Sequence, residues 1–344
     1  MRKTWLAAIM AIVMAALFVA GCGDSKPAAP AAPAKKVIKV SIGLNEQHPE
    51  YLGLKKFKEE VEKKTNGRYD VQLYPNAQLG DDIKATEALR MGTLEMSGPS
   101  SSPLAGISKE LMIFDLPFLF PNTDVAYKVM DGPVGQKILD TLNSKGLKGL
   151  AYWENGFRQL TNSVREVKMP ADVKGLKIRT MENPIHLATW KALGANPTPM
   201  PYSEVFTAMQ QKTIDGQENP IPTIFGAKFN EVQKYCTLSN HIYTPFILLI
   251  SGKVWDAMSK EDQKIFQDAA YVGRDEVRKV SKEMNTSYVA KLREAGMIVT
   301  ELTPAQVKAF QDATNSVYDQ FSERIGKEIV AEVRAEVVKV SAAK

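Results

Sequence analysis

From Val37 onward the chain switches repeatedly between two hydrophobic periods, one of two residues and one close to three and a half. The first run, Val37 to Ile42 in "VIKVSIGLN", is β-rich and predicts a strand ended by Gly43. Beyond Pro49, "YLGLKKFKEEVEKKTNG" sets Leu54, Phe57 and Val61 at helical spacing among charges, with Asn66-Gly67 as the stop. "RYDVQLYPNAQLG" predicts a strand broken at Pro75. In "DDIKATEALRMG", Asp81 and Asp82 suit a helix's first turn, Ile83, Ala85, Ala88 and Leu89 form the inward stripe, and Gly92 ends it. The alternation continues through a strand and Ser/Pro loop in "LEMSGPSSS", a buried strand in "GLKGLAYW", and a helix stopped at Gly194 in "HLATWKALGANP". A further helix starts near Ser203 and Glu204 and turns at Asp215-Gly216. "TPFILLIS" is apolar without a break, as in a strand covered on both faces, and the last third, from about Lys260, reads as amphipathic helix. Strands alternating with helices, then a helical tail, predict an α/β architecture with largely parallel sheets. No internal repeat interrupts this order.

The N-terminus follows other rules. Arg2 and Lys3 precede an apolar run that fits the core of an export signal and is short for a spanning helix. It closes on "VAGC", Val19 to Cys22, which resembles the lipobox of bacterial lipoproteins and implies cleavage before Cys22 and acylation of that cysteine. Each methylene buried in a bilayer contributes about 0.8 kcal/mol, so several acyl chains would anchor firmly. Residues 1–21 are thus expected to be a signal peptide, and the Pro/Ala stretch of residues 22–36 a semi-rigid spacer.

Charge and chemistry remove several function classes. Of the formal +5, residues 1–36 contribute five Lys/Arg against one Asp, which leaves the remainder near +1 and gives no electrostatic case for nucleic acid. Cys236 is the only cysteine after Cys22, so the mature chain is expected to have no internal disulfide. The three histidines, His48, His186 and His241, are far apart in sequence and form no zinc pattern. There is no Gly-x-Ser-x-Gly elbow and no glycine-rich phosphate loop after a strand. An exported α/β protein without catalytic signatures, metal or cofactor motif points to a receptor.

Six motifs sharpen that reading: "YPNAQLGDD", "DLPFLFPN", "ENGFRQLTNS", "VKGLKIRTMENP", "ALGANPTPMPYSEVFTAMQQKTIDGQENP" and "FNEVQKYCTLSNH". Their order resembles the solute receptors of tripartite ATP-independent periplasmic (TRAP) transporters of the DctP type, over about residues 37 to 340. The resemblance implies a two-domain periplasmic-binding-protein-like fold with a long crossing helix and a helical C-terminal part. It puts domain I at residues 37–156 plus about 246–284 and domain II at 157–245 plus about 285–340. It also implies capture of a small carboxylate outside the inner membrane, delivery to a small and a large membrane subunit, no cofactor and no catalysis.

Residue by residue, Arg179 in "LKIR" matches the family's arginine for the ligand carboxylate. The strand's alternation sets Leu176 and Ile178 on one face and Lys177 and Arg179 on the other. Guanidinium suits the task, because its parallel donors fit a carboxylate and its charge is permanent. Arg158 in "NGFRQ" matches a second family arginine, with an internal salt bridge as the competing role. Asn219 in "DGQENP" matches an asparagine at the carboxylate end, or is a turn residue before Pro220. Glu154 and His48 are candidates for ligand hydroxyls, Tyr202 for an aromatic wall, Asp82 for the cleft rim, and Ser100 for the donor-rich loop Ser97 to Pro103. Phe225 and Tyr243 are weaker candidates. Cys236 reads as a buried, inert thiol.

A dicarboxylate needs a second cationic pocket, whereas a sugar acid needs one clamp and many neutral or acidic partners. A cleft-facing Glu154 would favour the sugar acid, of the hexuronate (glucuronate or galacturonate) type, over a C4-dicarboxylate. A secreted enzyme acting on organic acids is the alternative of another class.

Overall fold

The two hydrophobic periods separate into two sheets with helices packed around them. The computed structural model describes residues 35–343, so the leader and Cys22 lie outside the described residues. The first apolar run forms β1 (Lys36–Ser41), and the next forms α1 (Pro49–Lys64), with Leu54, Phe57 and Val61 fully buried. β2 (Tyr69–Tyr74) stops at Pro75, and α2 (Asp82–Met91) is capped by Asp81, whose Oδ1 accepts from the Lys84 N–H at 2.9 Å. Gly92 ends α2 at φ +79°, a left-handed conformation that favours glycine.

β3 (Met96–Ser97), β4 (Leu147–Phe157) and β10 (Tyr243–Ser251) complete a five-stranded sheet in the order β2-β1-β3-β10-β4. The second sheet has six strands: β5 (Gln159–Asn162), β6 (Lys177–Thr180), β7 (Asn196–Pro199), β8 (Gly216–Asn219), β9 (Tyr235–Leu238) and β11 (Ile298–Glu301). Their order is β11-β9-β5-β8-β6-β7. Both sheets are mixed rather than largely parallel. β10 runs antiparallel to β3 and β4, and β5 antiparallel to β8 and β9. The unbroken apolar run of β10 reports burial on both faces, which a central strand has in either direction.

Helices α3 (Thr123–Asp131) and α4 (Pro133–Asp140) lie in the first lobe. After them come α5 (Pro184–Ala192), α6 (Val205–Gln210), α7 (Ile221–Gly226) and α8 (Gly252–Asp256). Next, α9 (Lys260–Glu294) runs for 35 residues, packing on α1 and β4 in its first part and on α7 and β11 toward its end. It crosses α1 at glycine. A Cβ on Gly53 would lie 2.8 Å from the Gly273 carbonyl oxygen, and one on Gly273 would lie 2.5 Å from the Trp153 ring. Only the missing side chains let these helices approach so closely.

The chain ends with α10 (Pro304–Thr314), α11 (Ser316–Ile325) and α12 (Lys327–Ala342). Val317, Phe321, Val330 and Val333 bury into the same core as Leu111, Val129 and Ile138 of the first lobe. An amphipathic stripe states that a helix is buried without naming its partner, and here the partner is this core. Ile83 also differs from its expected place in the α2 stripe, being 37 % exposed at the cleft. Among the described residues, no helix is long and apolar enough to cross a membrane.

Candidate functional site

Where the carboxyl ends of β6, β7 and β8 face the loops after β1 and β3, a cavity of about 630 Å³ opens between the two sheets. It lies at the strand ends where α/β proteins gather ligands. Its walls come from both lobes. The first gives Asp82, Ser100, Asn155 and Phe246, and the second gives Arg179, Glu182, Tyr202, Asn219 and Thr223. The lobes also touch directly: the Asn45 amide donates to the Gly226 carbonyl at 3.0 Å, and the Asn183 amide to the Ser102 carbonyl at 2.9 Å.

Arg179 is held by its strand. Ile178 and Leu176 fix β6 in a core cluster with Trp190, and Arg179 at the next position turns the opposite way. Its Nε and Nη2 donate to the Met200 carbonyl at 2.9 and 2.6 Å. Nη1 has no partner among the described residues, on a side chain that is 1 % exposed. Burial, with the neighbouring Arg158 charge, lowers its pKa to about 10, so it remains cationic at neutral pH. It is the only basic side chain lining the cavity among the described residues. Its free donor edge is suited to pairing with an anion.

The other charged side chains of the lining are acidic. The Asp82 Oδ2 accepts from the Ser100 N–H at 3.1 Å, and burial, reinforced by Glu182 and Asp81, pushes its pKa up to about 7. Glu182 is half-buried, whereas Asp81 is engaged by Lys84 at 3.0 Å. The Ser100 hydroxyl is buried without a partner. Tyr202 and Phe246 give the apolar faces.

The remaining candidates lie elsewhere or act from behind. Arg158 does not line the cavity: its Nε and Nη2 grip the Glu218 carboxylate, Nη2 also reaches the Asn219 Oδ1 at 3.2 Å, and Nη1 reaches the Thr244 hydroxyl at 3.4 Å. Here the competing role, an internal salt bridge, holds. Against the desolvation that would raise it, Arg158 and His186 keep the Glu218 carboxyl well below the usual carboxylate range. His241 Nε2 stands 3.1 Å from the same carboxylate, and His186 links it to Asp115 at 2.9 Å. The network thereby clamps Asn219, whose Nδ2 donates to Gln217 at 2.6 Å while its side chain stays at the cavity wall.

His48 stands one layer back. Its Nδ1 accepts from the Glu50 N–H at 3.2 Å, so Nε2 carries the proton and donates to the Thr223 hydroxyl at 3.2 Å. Burial lowers its pKa to about 3 and keeps it neutral.

Glu154 faces away. Its Oε2 accepts from the Tyr127 hydroxyl, and the neighbouring Asn155 lines the cavity instead. The cause is a bulge: Thr244 pairs with Gly156 but Pro245 pairs with Glu154, so Asn155 is the extra residue, with Gly156 at φ +118°. Phe225 packs on Tyr288 at 4.4 Å, and Tyr243 on Phe157 at 5.1 Å, both outside the cavity wall. Cys236 is buried, as its surroundings in the sequence suggested. Asn155, Glu182, Thr223 and Phe246 went unnoticed in the sequence. Only the "NG" of "ENGF" carried a local signal, for an irregular backbone.

Known proteins resemble this chain over most of its length. The bacterial extracellular solute-binding protein, family 7 profile matches residues 40–324. The chain is 38 % identical over 307 residues to the 2,3-diketo-L-gulonate-binding periplasmic protein of Escherichia coli, covering 89 % of this chain and 92 % of that one. It is 36 % identical over 301 residues to the C4-dicarboxylate-binding periplasmic protein of Rhodobacter capsulatus, covering 87 % and 90 %. The crystal structure of the sugar acid binding protein of Advenella mimigardefordensis in complex with galactonate superposes with a TM-score of 0.87 at 40 % identity, covering 89 % of this chain and 99 % of that one.

Proposed function

This chain belongs to the bacterial extracellular solute-binding proteins of family 7, the DctP-type receptors of TRAP transporters for small organic acids, and from that premise we propose that its solute is a sugar acid. The reading is a polyhydroxylated monocarboxylate, an aldonate or hexuronate of four to six carbons. One observation carries it: the cavity's single basic side chain among the described residues, Arg179, shares the lining with the acids Asp82 and Glu182.

The solute carboxylate pairs with the open Nη1 edge of Arg179, beside Asn219. Its hydroxyls then donate to Asp82 and Glu182 and meet Asn155 and Ser100, while Phe246 and Tyr202 cover the carbon chain. A second carboxylate would share the cavity with two acids and no further cation, and such like-charge juxtaposition costs several kcal/mol. Glu154 no longer contributes to this argument, since it faces another groove. The C4-dicarboxylate relative keeps the alternative concrete: a dicarboxylate would have to be taken with Asp82 protonated.

Because the solute touches both lobes, it binds the closed arrangement better than an open one and shifts the population toward closure. The closed receptor hands the acid to the small and large membrane subunits, acting as a receptor and not as an enzyme. Acylation at Cys22 would tether it outside the cytoplasm on its Pro/Ala spacer.

A thermal-shift screen of the mature chain tests the solute class, since a ligand that binds only the folded state raises stability by mass action. Aldonates and hexuronates are expected to raise the midpoint and C4-dicarboxylates to leave it near that of the free protein. The reverse pattern would overturn the reading. Metabolic labelling with palmitate, lost in Cys22→Ser, tests the anchor.

A further inference from the structure

Behind the solute cavity, the three segments that pass between the sheets converge on a second groove of about 830 Å³. Phe157 and Gln159 come from the β4–β5 passage, Leu238 and Asn240 from the β9–β10 passage, and Asn285 and Val289 from α9. Gln159 and Asn240 tie the two strand passages together, with Gln159 Nε2 donating to Asn240 Oδ1 at 2.6 Å and the Asn240 N–H to Gln159 Oε1 at 3.1 Å.

Into this groove points Glu154, only 2 % exposed. The Tyr127 hydroxyl satisfies Oε2, and no side-chain hydrogen bond reaches Oε1 among the described residues. Nor does one reach the Asn285 side chain on the facing helix. The nearby cation does not neutralise the acid, because Arg278 lies over the Tyr127 ring at 4.0 Å and is held by both Asp131 oxygens, at 2.5 and 2.9 Å. On an otherwise buried side chain, that free oxygen is left to accept from a donor in the groove. Around it the lining is apolar and amide, from Phe157, Ile221, Leu238 and Val289 to Asn285.

We propose that this rear groove is a second binding site, one that takes a small organic ammonium with its N–H groups on Glu154 Oε1 and its alkyl body against Phe157, Leu238 and Val289. An occupant there touches all three passages, and so couples to closure. That coupling rests on the receptor reading above, whereas ammonium binding itself does not. Burial raises the Glu154 pKa to about 7, partly offset by the Tyr127 hydrogen bond and the Arg278 charge. The other groups that interact with this cluster are Tyr243, Asp124 and Asp131. Ionised above neutral pH and protonated below it, Glu154 holds the ammonium more tightly at pH 8.5 than at pH 6.

The test is calorimetric titration of n-butylammonium chloride into the whole mature chain at both pH values, with sodium butyrate and sodium chloride as controls. The expected result is saturable binding, at least tenfold weaker at pH 6, absent for both controls and weakened at least tenfold in Glu154→Gln. Should Glu154→Gln fail to fold, Asn285→Lys serves, since a tethered ammonium at the groove is expected to block the titration with Glu154 intact. Absence of saturable binding, equal binding by Glu154→Gln or by folded Asn285→Lys, or loss in Asp82→Asn instead would overturn the proposal, the last by putting the ammonium in the front cavity. Solute affinity that shifts when the groove is filled extends the proposal to coupling, and unchanged affinity refutes that part alone.

Discussion

Arg158 and Arg179 are both buried, 0 % and 1 % exposed, and the Arg158 charge lies close enough to help lower the Arg179 pKa, yet they make different contacts. Every guanidinium nitrogen of Arg158 has a protein partner, chiefly the Glu218 carboxylate. Arg179 spends two nitrogens on a neutral carbonyl and keeps the third for the cavity. The difference separates a charge paired within the fold from one without a comparable counter-ion. An arginine paired within the chain stabilises the native state, while one left without a counter-ion stores binding affinity for a solute that brings one.

The largest effect expected from breaking this contrast is on stability. Arg158→Met leaves Glu218 buried without its main counter-charge and is expected to cost about 3–5 kcal/mol, read from the urea midpoint. Replacing Glu218 by Met as well is expected to restore much of that loss. Arg179→Ala should do the reverse, leaving the urea midpoint near or above wild type while weakening solute binding by about 2–5 kcal/mol in a calorimetric titration. If both variants lost stability alike, the division between the two arginines would fall.

A subtler break uses pH. The folded-state pKa of Asp82 is raised from 3.8 to about 7, so the folded protein holds that proton across a range in which the unfolded chain has released it. Its contribution to solute-free stability is thus full below about pH 4 and is lost as the pH rises through 7. Asp82→Asn is expected to flatten the stability curve across that window, measured by thermal midpoints at each pH. The smallest effect is expected from Tyr202→Phe, which removes a hydroxyl at the cavity wall and should weaken solute binding by about 0.5–1.5 kcal/mol.

Much of this contrast was legible before any coordinates, but unevenly. Leu176 and Ile178 announced a buried strand face and Arg179 its opposite, and the family resemblance gave Arg179 its task. Pattern alone could not tell that the opposite face is buried too, because a cleft side chain and a solvated one occupy the same alternating positions. Glu154 and Asn155 show the limit most clearly. Their roles are set by one bulge at Gly156, which shifts the pairing with β10 and depends on a strand distant in sequence. Glu182, Thr223 and Phe246 reach the cavity from three separate elements, so no local motif joined them. The same non-local cause hid the direction of β10 and the partner of the C-terminal helices, since burial leaves a mark in sequence and the identity of the covering element does not.

The central claim is one carboxylate clamp in a cavity whose other charges are acidic, and two ligands that differ only at their far ends test it most directly. Galactonate and galactarate share their internal hydroxyls, but galactarate carries a second carboxylate where galactonate carries a terminal alcohol. In side-by-side calorimetric titrations of the mature chain at pH 8, galactonate is expected to bind at least a hundredfold more tightly. Equal affinities, or tighter binding of galactarate, would contradict the claim.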